Sequence, residues 1–211
     1  MGATRPRYHP GRYRRPGDRE AFEIAIGAIL TQNTAWTNVE RAIESLNRTG
    51  TMRPEALVAV PRRRLETLIR SSGYFRQKAE RLKTFVAHLR RRGGLRRWLS
   101  GPLPALRDEL LSLSGVGPET ADSILLYAGA RPVFVVDAYT LRIGERLGWF
   151  RAATYESAQA MFVESLPRSV KVYQEAHALI VALGKLYCRK EPLCGHCPLA
   201  GDCGYARTNR L

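Results

Sequence analysis

Apolar residues return every three or four positions along most of the chain, the spacing of one face of an α-helix. From Arg19 such a stripe runs through Phe22, Ile26, Ile29 and Leu30 and stops at a polar stretch, 31–36, that holds one large aromatic, Trp36. Asn38 stands where it can cap a second helix carrying Val39, Ala42, Ile43 and Leu46. Two short helical pieces are expected at 57–60 and 65–69, followed by a glycine turn, Ser72-Gly73-Tyr74-Phe75, with two outward aromatics. A long basic helix over 76–91 aligns Ala79, Leu82, Phe85, Val86 and Leu89, and Gly93-Gly94 breaks it. Further helices are expected at 103–113, from Pro118 through the stripe Ala121, Ile124, Leu125 and Ala128, and at 138–148, 155–166 and 170–187. The last carries Tyr173, Ala176, Ile180 and Leu183. The run 132–136 has the look of a buried strand, but no second strand candidate exists to pair with it. It is expected to be a buried extended segment leading into Asp137. The class is all-α, without repeats or low-complexity linkers.

Between two of these helices lies Leu113-Ser114-Gly115-Val116-Gly117-Pro118-Glu119-Thr120. Two glycines one residue apart let the backbone take positive φ and approach a neighbour closely. Pro118 suits the first helical position and Glu119 the positive end of the helix dipole. A helix start beside a glycine turn is a ready phosphate site. The other reading, an ordinary tight helix–helix corner, is open at this point.

The chain has 211 residues, enough for one large or two small domains. No apolar run reaches membrane-span length. The first nineteen residues are basic and punctuated by Pro and Gly, unlike a secretory signal, so a cytoplasmic protein is expected. Residues 5–18 read as an extended arm with Tyr8 and Tyr13. Thirty-four basic against nineteen acidic residues leave a net charge of +15. The excess is clustered arginine, as in Arg62-Arg63-Arg64 and Arg90-Arg91-Arg92. Such a chain favours a polyanion, since neutralising phosphates releases condensed counterions. Solvated helix faces are the alternative.

All four cysteines crowd at the C-terminal end, Cys188, Cys194, Cys197 and Cys203, with gaps of five, two and five residues. A disulfide scaffold would spread them through the chain. The crowding points to a metal or cluster site, and spacing leaves a 4Fe-4S cluster and zinc both open.

Taken together, Leu113-Ser114-Gly115-Val116-Gly117, then Val135-Val136-Asp137 with its aspartate twenty residues beyond Gly117, then the four cysteines, resemble the helix-hairpin-helix DNA glycosylases of the endonuclease III superfamily. The resemblance spans about Phe22 to Cys203. The first cysteine gap is five here where that family has six. It implies a two-lobed helical fold, with a contiguous lobe over 20–129 and a second lobe made from 1–19 and 130–211 that holds a 4Fe-4S cluster. The implied partner is double-stranded DNA containing a damaged base, bound by a monomer with the target nucleotide everted.

The resemblance also assigns roles. Gly115, Val116, Gly117 and Thr120 would grip a backbone phosphate, Gln32 would face the base opposite the emptied site, and Tyr74 would act as a wedge. Asp137 matches the catalytic aspartate, although a helix N-cap is its plain structural alternative. Glu119 stands where the strand-cleaving members carry a Schiff-base lysine, so a monofunctional glycosylase is expected. Residues 31–36 with Glu119 are similar to the 3-methyladenine glycosylase branch, which makes Trp36, Glu119 and Tyr13 the candidate base pocket. Cationic alkylated purines stack well on an electron-rich ring. The branch's aromatic pair before a proline is replaced by Arg14-Arg15-Pro16. The alternatives are a glycosylase for mismatched thymine or uracil or for oxidised bases, and a non-catalytic protein that binds damaged DNA.

Overall fold

The computed structural model describes residues 15–208, and it is all-α. No strand occurs among the described residues, and none of the helices is long and apolar enough to cross a membrane. The chain divides into two compact units, with the boundary between Arg131 and Pro132. Of the expected N-terminal arm, residues 1–14 lie outside the described residues, Tyr8 and Tyr13 among them.

The first unit opens with α1 (Asp18–Leu30) and α2 (Trp36–Arg48). Phe22, Ile26, Ile29 and Leu30 of α1 and Val39, Ala42, Ile43 and Leu46 of α2 are all buried, as their spacing predicts. One expectation is corrected here. Asn38 is not a cap, because α2 begins a turn earlier at Trp36, and the Asn38 amide reaches back to Thr34 Oγ1 at 3.1 Å. Short helices α3 (Pro54–Ala59) and α4 (Arg62–Leu68) lead to α5 (Phe75–Arg91). The apolar side of α5 is buried, whereas Phe75 is only partly covered, between Arg70 and Arg76. After α6 (Leu95–Trp98) come α7 (Leu103–Leu111) and α8 (Pro118–Ser123), whose connection is the glycine turn.

From Ile124 to Ala128 the helix widens into a π turn, closed by Gly129 N–H donating to Ile124 O at 2.9 Å. The sequence stripe still works there. Ala121, Ile124, Leu125 and Ala128 are buried, and the widened turn adds Leu126 while packing on α1.

The second unit starts with the buried extended run Val133–Val136, followed by α9 (Ala138–Leu147), α10 (Tyr155–Ser165), α11 (Val170–Leu186) and α12 (Gly204–Thr208). Its core is aromatic. Phe134 stacks on Phe162 at 4.2 Å and meets Tyr173 edge-on at 5.6 Å, a favoured offset for ring pairs. Gly184 permits the close approach of α11 to α9, since a Cβ there would lie 2.2 Å from the Tyr139 ring.

Candidate functional site

In the first unit the glycine turn is stapled from both sides. Arg107 on α7 donates from Nε and Nη2 to the two carboxylate oxygens of Asp122 on α8, at 2.8 and 3.1 Å. Asp122 is fully buried, so this bidentate pair fixes the angle between the two helices. Gly115 has φ of 80°, and the space a Cβ would take is filled by Arg81 of α5, with Nε 2.1 Å from that position. A side chain at 115 is therefore disfavoured by conformation, and it would also displace Arg81 from the turn. Val116 is buried under the turn, while Gly117 is exposed.

The same turn is tied to the loop after α1. Gln32 Nε2 donates to Gly115 O at 2.8 Å and to Thr120 Oγ1 at 2.9 Å, and Arg81 Nη1 donates to Gln32 Oε1. Gln32, Gly115 and Thr120 thus form one hydrogen-bonded group with Arg81, and the whole amide of Gln32 is engaged within the unit. Nothing in the sequence singles out Arg81. Its value comes from packing against a turn thirty-four positions away.

Glu119 is exposed on the first turn of α8. Trp36 is half-buried at the start of α2; its Nε1 donates to Glu40 at 2.7 Å, and the ring edge lies against Gly27 of α1. Tyr74 is 65% exposed and sits in the left-handed region with φ of 45°, directly before α5. A non-glycine residue held there is a strained position that the surrounding structure must enforce.

In the second unit Asp137 is the N-cap of α9. One carboxylate oxygen, Oδ1, accepts from Thr140 N at 2.8 Å and from Thr140 Oγ1 at 2.9 Å. The other, Oδ2, lies 3.6 Å from His177 Nε2 on α11. The two side chains are 12% and 13% exposed. Burial pulls the Asp137 carboxyl upward, but His177 and the two Thr140 bonds outweigh it and hold the group below the usual carboxylate range. The result is a carboxylate that stays ionised in a largely dry place. His177 was not visible as a site residue in the sequence. The available signal was a histidine in register with Tyr173 and Ile180 on the buried face of α11.

All four cysteines are free thiols of intermediate exposure. Arg146 of α9 touches both ends of their loop. Its Nη1 donates to Cys188 Sγ at 3.3 Å, and its carbonyl accepts from Cys203 Sγ at 3.3 Å. Among the described residues no three His, Cys, Asp or Glu side chains converge as a single ion requires. Two of the four thiols, Cys188 and Cys203, thus meet at Arg146, and all four lie on one loop, a donor set that suits an iron–sulfur cluster or a thiolate-bound zinc in type.

A family model of HhH-GPD superfamily base excision DNA repair proteins matches residues 26–168. The chain belongs to this superfamily. The matched segment contains the hairpin and Asp137 and ends before the cysteine loop. A Methanocaldococcus jannaschii protein provisionally named a DNA repair glycosylase is 44% identical over 86% of this chain and 84% of its own length. Among solved structures, a non-covalent endonuclease III–DNA complex is similar with a TM-score of 0.77, at 26% identity, over 96% of this chain and 90% of that one. The Helicobacter pylori 3-methyladenine DNA glycosylase bound to 1,N6-ethenoadenine is similar with a TM-score of 0.69, at 27% identity, over 78% of this chain and 84% of that one.

Proposed function

We propose that this base-excision DNA glycosylase is monofunctional and releases alkylated purines from double-stranded DNA, using Asp137 as its catalytic carboxylate. The observation that carries the reading is the Asp137 niche, a buried carboxylate kept ionised by Thr140 and His177. Cleavage of an N-glycosidic bond builds positive charge on the sugar, and a preorganised anion in a low-dielectric site stabilises that charge strongly. The C1′–N bond breaks with its electron pair leaving on the base. A water oxygen then bonds to C1′, and its proton passes to solvent. A cationic N3- or N7-alkylated purine departs as a neutral base, so one carboxylate suffices and no separate acid is required.

The monofunctional part rests on Glu119. A carboxylate cannot form the Schiff base on which strand cleavage depends. The chain has five lysines, Lys78, Lys83, Lys171, Lys185 and Lys190, and none of them stands in the hairpin. In the hairpin, Gly115, Val116, Gly117 and Thr120 serve the backbone phosphate. Tyr74 enters at the emptied site as a wedge, Gln32, held by Gly115, Thr120 and Arg81, faces the base opposite it, and the Trp36 ring stacks on the damaged base, with Glu119 beside the pocket. The Helicobacter glycosylase supports alkylpurines. Endonuclease III-like specificity for mismatched thymine or uracil or for oxidised pyrimidines is the second reading, favoured by the wider coverage of the endonuclease III match, 96% against 78% of this chain.

Cys188, Cys194, Cys197 and Cys203 would hold a 4Fe-4S cluster, which supplies a structural clamp on the C-terminal loop and no chemistry at the sugar. The protein would act as a monomer at cytoplasmic DNA.

The deciding experiment is a panel of duplexes carrying 3-methyladenine, 7-methylguanine, uracil or thymine opposite guanine, and an oxidised pyrimidine, analysed for free base. Release of the two methylated purines is expected. Release confined to the pyrimidines would replace the alkylpurine reading with the second one.

A further inference from the structure

Lys78 of α5 is buried to 1% exposure, and neither the hairpin nor the glycosidic chemistry uses it. Its Nζ donates to Leu30 O at 2.8 Å and to Ser72 O at 2.6 Å. Burial, with Arg81 nearby, lowers its pKa to about 8. Placing an amine where it must shed its water is costly unless the geometry returns hydrogen bonds. An aliphatic side chain would fill the same volume without that cost, so the polar end needs a reason.

The two acceptors supply it. Leu30 is the last residue of α1, two positions before Gln32. Ser72 is followed by Gly73 and Tyr74, with φ of 67° and 45°. The Tyr74 conformation is strained and its ring is exposed, so no packing of its own holds it. From one point, Lys78 binds the backbone just before Tyr74, read above as the wedge, and just before Gln32, read above as facing the opposite base.

We propose that Lys78 is a positioning residue that locks the turn bearing Tyr74 to the loop bearing Gln32, so that the wedge meets DNA as one rigid piece with the hairpin-bound loop. The assignment rests on the reading of Tyr74 as the wedge. Without the amine, both carbonyls lose a buried donor. The 72–74 turn is then free to relax out of the left-handed region, and the wedge loses its fixed direction.

The test uses the full-length protein and a duplex with a tetrahydrofuran abasic-site analogue flanked by 2-aminopurine, so it does not depend on which base is excised. Insertion of Tyr74 unstacks the reporter and raises its fluorescence. Tyr74→Ala is expected to abolish most of the rise, and Lys78→Met to match it in saturated complexes of folded protein. The Tyr74→Ala/Lys78→Met double variant should fall no further than either single one. Affinity should drop about tenfold in each, the effect of losing little more than 1 kcal/mol of wedge insertion. Lys78→Gln, which keeps a donor on a shorter stem, should recover part of the signal and stands in if Lys78→Met does not fold. A normal rise in Lys78→Met, or losses that add in the double variant, would overturn the assignment alone. An inert Tyr74→Ala would overturn the wedge reading and the assignment with it. Failure of both Lys78 variants to fold would make Lys78 a folding residue and overturn it as well.

Discussion

Asp137 Oδ2 and His177 Nε2 stand 3.6 Å apart, joining the start of α9 to the middle of α11. The relationship divides the carboxylate between two tasks. Oδ1 caps the helix through Thr140, and Oδ2 faces the imidazole. The helix-cap and catalytic readings of Asp137 are therefore compatible, because the cap leaves one oxygen for chemistry.

Removing His177 tests that division. His177→Gln takes away the imidazole that helps hold the Asp137 carboxyl below its usual range, so the pKa of Asp137 rises. A carboxylate needed in its ionised form is then available only at higher pH. The acid limb of the single-turnover rate profile should move upward, with a loss of about tenfold at the acid end. An unchanged limb would show that His177 has no hold on the proposed catalytic carboxylate.

The hairpin angle depends on Arg107 and Asp122. Arg107→Met strips a wholly buried carboxylate of its bidentate partner, and breaking such a pair costs about 3 kcal/mol or more. Urea unfolding should show that loss. The Arg107→Met/Asp122→Leu double variant should regain much of it, since no charge is then left buried.

Glu119→Lys tests the proposed monofunctional chemistry by placing an amine on the first turn of α8, where the resemblance implies a Schiff-base lysine in strand-cleaving members. Covalent trapping with borohydride on a duplex containing an abasic site should turn from absent to detectable. No adduct would mean that position 119 does not face the sugar.

The cysteine loop makes a compositional prediction. Protein purified without air should contain about four iron and four sulfide per chain, as a 4Fe-4S cluster requires. Replacing Cys188 or Cys203 by Ser should release the metal and lower thermal stability before any effect on base release per folded molecule. One zinc and no iron would contradict the cluster.

Much of the fold is legible in the sequence because burial follows period. The stripes of α1, α2 and α5 name their buried residues directly. The run Val133–Val136 is legible by elimination, being apolar without a pairing partner. Local pattern fails where a distant group decides. Asn38 has the chemistry of a cap, yet α2 starts a turn earlier, at Trp36, whose ring edge lies against Gly27. The π turn at Ile124–Ala128 keeps the expected stripe buried and only adds Leu126 to it, so it carries no sequence signal. At the site, Gly115 and Asp137 announce themselves through turn and cap chemistry. Arg81, Lys78 and His177 do not, since each acquires its role from residues thirty to fifty positions away or across a helix pair. Gln32 is the mixed case. Its position was singled out, but its amide is engaged with Gly115 and Thr120, which the sequence gives no means of seeing.

The most direct test of the central claim compares wild type with Asp137→Asn on methylated duplex DNA, scoring free base and strand breaks before and after hot alkali. Wild type is expected to release 3-methyladenine and 7-methylguanine and to yield breaks only after alkali. Asp137→Asn should bind the duplex comparably while base release falls about a thousandfold, the scale of losing a preorganised electrostatic stabiliser. Undiminished release by Asp137→Asn, or breaks from wild type without alkali, would contradict the claim.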